Sequence, residues 1–230
     1  MKTVETGGIT AVVPVPGGTD AWYYGISYEH GDLYEAEEIF RAGGTVTGRT
    51  LCLLRYPEGE TFFPLPKREG IYPGEPVYFE DGIWFVNVDF PRGVIEIRRF
   101  DCRSFTTGIR AEIPLASVKN CYNLSLQTAP LTLTRQCVGE NEFEIVWPER
   151  ASFRMGDHDS FFLRNGDDLY FSRWHETGEG PEYRWWTETI VRDTEGNERE
   201  PLPGDLMRMP NGEIWFFPEK TEEKERKETI

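Results

Sequence analysis

The sequence predicts an all-β protein: a β-propeller, five short blades of about four strands each, closed by its N-terminal strand. Three observations predict it. Short β-prone runs are separated along the whole chain by Gly, Pro, Asn and Asp. Helical periodicity is scarce. A strand–turn–strand unit also recurs at a spacing of about 45 residues, the arithmetic of a propeller blade.

The repeat is visible when the turn signals are aligned. The first unit reads YYGISYEHG-DLYEAE and turns at Gly31. The second, EPVYFEDG-IWFVNVDF, turns at Gly82, and the third, NLSLQTAP-LTLTRQC, at Pro130. The fourth, DSFFLRNG-DDLYFSRW, turns at Gly166, and the last, DLMRMPNG-EIWFFPE, at Gly212. Asp-Gly and Asn-Gly suit such turns because type I′ geometry needs positive φ at both central residues. Residues 32–41 (DLYEAEEIFR) are the best helical candidate, in competition with a strand–loop reading.

Further strands are expected at residues 93–100 and 108–115, at 142–147 and 151–155, and at 183–192, so that the fullest units hold four strands. The last unit ends after two. Residues 9–15 (ITAVVPV) lie outside the first unit and are expected to complete the last blade, because closing the ring removes exposed sheet edges. Residues 1–218 are read as one propeller domain. Residues 219–230, EKTEEKERKETI but for Pro218 before them, carry almost only charged and polar side chains and are expected to be disordered. A β-sandwich is the competing architecture, since it too gives short strands at regular spacing.

With 25 Lys and Arg against 40 Asp and Glu, the net charge is −15, a surface that repels phosphate backbones and anionic lipid. Nucleic acid and membrane are therefore not expected as partners; a small-molecule glycan or a protein is. The four cysteines form no C-x-x-C pair and sit in or beside hydrophobic runs, as in Leu51-Cys52-Leu53, so buried free thiols are expected rather than a zinc clasp. The first 18 residues lack a signal-peptide pattern, and no run of about 18 apolar residues occurs, which points to a cytoplasmic protein. The three histidines are scattered and make no metal motif. No cofactor is expected, with Ca²⁺ the one cation that a ring of carboxylates would suit.

Seven residues before each turn residue stand Tyr24, Glu75, Asn123, Asp159 and Asp205. In a propeller these equivalent positions converge at one mouth of the channel, placing acids and amides around a concave site. The same residue types also begin strands simply because they suit the preceding turn. Asp20, ahead of the aromatic run 21–24, and Asp157 with His158, ahead of Asp159, join this group, as do Trp174 and His175 at the end of the following strand. Planar polar groups beside indole faces are the means by which proteins hold sugar rings, so Asn123, Asp157, His158, Trp174, His175 and Asp205 are the candidate substrate-binding residues.

The stretches GTDAWYYG, EPVYFEDGIWFV and DHDSFFLRNGDDLYFS resemble the blade starts of five-bladed glycoside hydrolases of the arabinanase and fructosidase type. The resemblance implies a base at Asp20, a tuning carboxylate at Glu75 and an acid at Asp157 or Asp159. Two departures accompany it: Glu75 stands where that family has Asp, and Asp159 where it has Glu. The function expected is thus carbohydrate-directed, either glycoside hydrolase-like through paired carboxylates or glycan-binding. The alternative is a non-catalytic protein-interaction scaffold, which predicts an exposed apolar patch on one rim.

Overall fold

The computed structural model describes residues 1–209 and 211–218; the charged segment 219–230 lies outside them. Four antiparallel sheets follow one another along the chain. The first contains β1 (Val13–Pro14), β2 (Trp22–Ile26), β3 (Leu51–Arg55) and β4 (Glu60–Phe62), with helix α1 (Leu33–Arg41) between β2 and β3. The second contains β5 (Ile71–Pro73), β6 (Val77–Phe79), β7 (Gly82–Asp89), β8 (Val94–Asp101) and β9 (Thr107–Pro114). The third runs β10 (Ser125–Thr128), β11 (Leu131–Cys137), β12 (Glu142–Trp147) and β13 (Ala151–Arg154). The fourth runs β14 (Asp159–Asn165), β15 (Asp168–Thr177), β16 (Arg184–Arg192), β17 (Leu202–Arg208) and β18 (Ile214–Pro218).

The sheets are arranged as the blades of a propeller, and the buried apolar residues lie between consecutive blades. Val15, Trp22, Tyr24, Leu51 and Leu53 of the first sheet meet Ile71, Ile83, Phe85 and Phe100 of the second. The other face of the second sheet, with Tyr72, Val86, Val88, Ile95 and Ile97, packs on Leu126, Leu131, Leu133 and Val146 of the third. Phe143, Ile145 and Met155 of the third sheet then meet Leu169, Phe171 and Ile190 of the fourth. This alternation explains the near-continuous apolar run of β7: as an inner strand of its blade it is covered on both faces.

The blade count is four, where the repeat spacing predicted five, and two local events account for the difference. Gly31 does not turn a hairpin. Asp32 instead caps α1, its Oδ1 accepting the N–H groups of Tyr34 and Glu35 at 2.8 and 2.9 Å, while Glu35 Oε2 accepts the Asp32 N–H at 2.8 Å. The helical reading of 32–41 holds, and the partner of β2 is β3, twenty-five residues on. The last hairpin, β17–β18, is not a blade of its own: it joins the fourth sheet through Glu188–Pro203 and Thr189–Leu202 pairs.

Nor does the N-terminal strand complete the last blade. β1 pairs with β2, its own sheet neighbour. The ring is drawn together differently, by the glycine-rich loop that follows β1. The Tyr78 N–H donates to the Pro16 carbonyl at 2.6 Å, linking the first sheet to the second. A Cβ on Gly17 would stand 2.1 Å from the Tyr78 carbonyl oxygen, and one on Gly18 would stand 2.7 Å from that of Asn211 in the β17–β18 loop. Only glycine permits both approaches. The second-sheet hairpin also differs in detail from expectation: the two positive-φ residues are Glu80 and Asp81, and Gly82 is already the first residue of β7.

The helix is anchored from both neighbours. Leu33 and Ala36 enter the core shared by the second and third sheets. The buried Glu37 carboxylate accepts from the Cys121 N–H at 2.5 Å and from Arg41. The four cysteines are free thiols, with Cys52, Cys121 and Cys137 buried. Among the described residues no helix is long and apolar enough to cross a membrane.

Candidate functional site

At one end of the ring all four sheets contribute to a single open cavity of about 510 Å³. The first sheet supplies Arg49 ahead of β3, with Asp32 and Leu33 from the start of α1. The second supplies Gly74, Glu75 and Val86. The third supplies Asn123, Ser125, Gln127 and Gln136, and the fourth Ser160, Phe161 and Phe162. The fold therefore gathers side chains more than a hundred residues apart, as equivalent positions of blades must when they share an axis.

Each polar group there is held by identifiable contacts. Arg49 lies over the Tyr72 ring, 5.1 Å from its centroid, and donates to the carbonyls of Ser27 and Pro73 at 3.2 and 3.4 Å. Tyr72 in turn donates to the Gly31 carbonyl at 2.9 Å. Tyr24 stands behind Glu75; burial first, and then the neighbouring Glu75 carboxylate, push its hydroxyl up to about 12, so it remains a donor throughout the physiological range. Asn123 takes a left-handed backbone conformation, φ +47°, which asparagine tolerates better than most residues. Gln136, buried in β11, bridges to the fourth sheet, donating to the Asp159 carbonyl at 3.1 Å and accepting the Phe161 N–H at 2.8 Å.

The sequence-predicted residues are divided by the fold. Glu75 and Asn123 line the cavity, both exposed. Asp159 lies beneath it and is buried. Its Oδ1 accepts Arg173 Nε at 2.6 Å; its Oδ2 accepts Arg192 at 2.7 Å, Arg173 at 3.1 Å and the Gly156 N–H at 3.0 Å. Burial alone would raise its pKa. The hydrogen bonds from Arg173, Gly156 and Arg192 outweigh that and hold the carboxyl below the usual carboxylate range. Asp20 lies in a different cleft, between the first and fourth sheets, and is exposed. Asp20, Glu75 and Asp159 thus do not share one cavity.

The remaining candidates belong to the outer parts of the third and fourth sheets. Asp157 is exposed and accepts from Asn141 Nδ2 at 2.5 Å, and His158 beside it is exposed. Trp174 stacks on Trp185, centroids 4.7 Å apart and planes within 11°; His175 stacks on Trp186 and meets Glu188 at 2.8 Å. Asp205 accepts the Thr187 hydroxyl at 2.5 Å. Among the described residues no three His, Cys, Asp or Glu side chains are grouped so as to hold a metal ion, so the carboxylate ring expected to suit Ca²⁺ is not formed by them.

Sequence reasoning missed Arg49, Gln127, Gln136 and Phe162. Gln127 and Gln136 carried a readable signal: they are amides inside β-prone hairpin strands, and both are buried. Compared with known proteins, the chain matches no family model, no curated sequence and no solved structure. The likeness to arabinanase- and fructosidase-type enzymes therefore rests on blade-start patterning alone, and the propeller it implied is built here from four blades rather than five.

Proposed function

We propose that the cavity at the mouth of the ring binds a small glycan, a ring-shaped polyol, and holds it without cleaving it. The observation that carries this reading is the convergence of all four sheets on one open cavity around Glu75 and Asn123. Its volume lies within the several hundred cubic ångströms usual for small-molecule sites. Sugar hydroxyls need both donors and acceptors. Glu75 supplies an acceptor, Asn123 and Gln127 supply both, and Ser160 adds a hydroxyl. The exposed Phe162 ring offers an apolar face to the C–H side of a pyranose or furanose.

Binding is favoured over hydrolysis because glycosidic cleavage requires a second carboxyl that holds a proton at neutral pH. Asp32, the other carboxyl lining the cavity, is engaged by the Tyr34 and Glu35 N–H groups as the cap of α1. Asp159 is held ionised by two arginines, and Asp20 faces another cleft. Thermal denaturation in a panel of mono- and oligosaccharides tests the proposal. At least one sugar should raise the melting temperature of the native chain, and Glu75→Gln combined with Asn123→Ala should remove the rise. No rise with any sugar, or an undiminished rise in the double variant, would overturn it.

A second reading, a protein-interaction scaffold, is favoured by the rim of the fourth sheet. Met207, Trp215 and Phe217 alternate onto one face of the β17–β18 hairpin and are all exposed, and the Trp174–Trp185 pair is exposed on the same sheet. Patches of this kind mark contact surfaces more often than they occur by chance.

A further inference from the structure

Three of the four seams between sheets are filled by buried apolar side chains. Among the described residues the seam between the fourth and first sheets has no such cluster, and a cleft of about 720 Å³ opens there. Val15, Tyr23 and the Gly17–Gly18 loop form one wall and Arg208 of β17 the other.

Arg208 is out of keeping with its surroundings. The chain carries a net charge of −15, and its other shielded arginines reach carboxylates or carbonyl oxygens: Arg173 and Arg192 share Asp159 and Glu198, Arg135 reaches Glu142 and Glu144. Among the described residues Arg208 has neither. Its one hydrogen bond runs from Nη1 to the Thr128 hydroxyl at 3.4 Å, the outer limit for such a contact. Burial lowers its pKa, and among the described residues no carboxylate pairs with it to offset the loss of water. A desolvated guanidinium without a counter-ion is a cost that a bound anion removes.

The opposite wall supplies a second, independent feature. The backbone N–H groups of Gly17, Gly18 and Thr19 donate to no protein acceptor among the described residues. Gly17 and Gly18 have φ of +117° and +90° and pass so close to the carbonyls of Tyr78 and Asn211 that a side chain at either position would clash. Successive unengaged amides in a glycine turn are an anion-binding arrangement, and a guanidinium fork matches the paired oxygens of a carboxylate or phosphate. Asp20 stands exposed at the rim, where water screens its charge.

We propose that this cleft is a binding site for a small oxyanion-bearing ligand, anchored on the Arg208 guanidinium and completed by the amides of the Gly17–Thr19 loop. The site is separate from the mouth of the ring, and its test does not depend on what the mouth binds. The experiment is a titration of ¹⁵N-labelled full-length protein with sodium phosphate and, separately, sodium acetate, against sodium chloride at matched ionic strength. The expected result is a saturable shift of the Gly17, Gly18 and Thr19 amides and of Arg208 Nε that chloride does not reproduce. The tighter of the two anions then tells a phosphate ligand from a carboxylate ligand. Arg208→Gln should weaken binding about ten- to a hundred-fold, the usual worth of a charge-assisted hydrogen bond, and Arg208→Lys should weaken it less. Shifts that only track ionic strength, or that lie away from residues 17–19, would overturn the proposal, as would unchanged affinity in Arg208→Gln. Should that variant fail to fold, the map of shifts in the native chain decides alone.

Discussion

Asp159 offers the sharpest test of how the strands of the fourth sheet are held together. Its carboxylate is fully buried and is the shared acceptor of Arg173 and Arg192, whose side chains are 22% and 8% exposed. Replacing it with alanine leaves two shielded guanidinium groups with Glu198, which already contacts both, as their one remaining carboxylate among the described residues. Stripping one partner from a buried pair costs about 3–5 kcal/mol. Because Glu198 remains, the loss expected for Asp159→Ala lies at the lower end, about 3 kcal/mol. In a chain of this length each kcal/mol moves the melting temperature by roughly 2–4 °C, so a fall of about 6–12 °C is expected. Urea unfolding followed by tryptophan fluorescence measures the free energy directly. Adding Arg192→Met should recover part of the loss, because the second change removes the charge that the first left unpaired. A loss below about 1 kcal/mol, or strictly additive effects in the double variant, would refute the account of Asp159 as the centre of a buried ion network.

Two further outcomes follow from the same structure. Asp159 and Glu96 are both held below the ordinary carboxylate range, each by arginine hydrogen bonds that outweigh burial. Depressed carboxylates contribute stability above their unfolded pKa and lose it as pH falls through the folded value. The melting temperature should therefore be nearly level from pH 7 to about 5, fall below about 4, and fall less steeply in Asp159→Ala. Gly17→Ala would place a methyl group 2.1 Å from the Tyr78 carbonyl at a φ of +117°, so it should destabilise by at least about 1–3 kcal/mol and weaken amide-exchange protection at Tyr78, whose N–H bonds Pro16.

Much of the architecture was legible because local chemistry and tertiary structure agree there. The hairpins at 125–137 and 159–177 are β-prone runs on either side of a two-residue turn, and residues 142–147 became β12 without change of boundary. The count failed where a local signal had two readings. Asp32 with Glu35 is both an acid pair after a glycine and a capping box, and the box prevails because α1 can bury Leu33 and Ala36. The last hairpin kept its predicted shape, but which sheet it joins depends on Glu188 and Thr189 meeting Pro203 and Leu202, a register that no local pattern encodes. For the site, counting back from the turns located Glu75 and Asn123 at the mouth. The same rule could not tell that Asp159 would be claimed by Arg173 and Arg192, since those arginines lie 14 and 33 residues away. Nor could it place Arg49, which reaches the cavity from a loop that carries no repeat signal, or Gln136, which lies on the far side of its turn.

The central claim is that four sheets bring Glu75, Asn123, Gln127 and Ser160 to one ligand-binding mouth. The most direct measurement is a residue-resolved amide map of the ¹⁵N-labelled protein with a sugar that raises its melting temperature. Saturable shifts grouped at residues 74–75, 123–127, 136 and 160–162, and absent elsewhere, are the result expected. Shifts confined to Trp174, Trp185 and the β17–β18 hairpin, with the mouth silent, would contradict it.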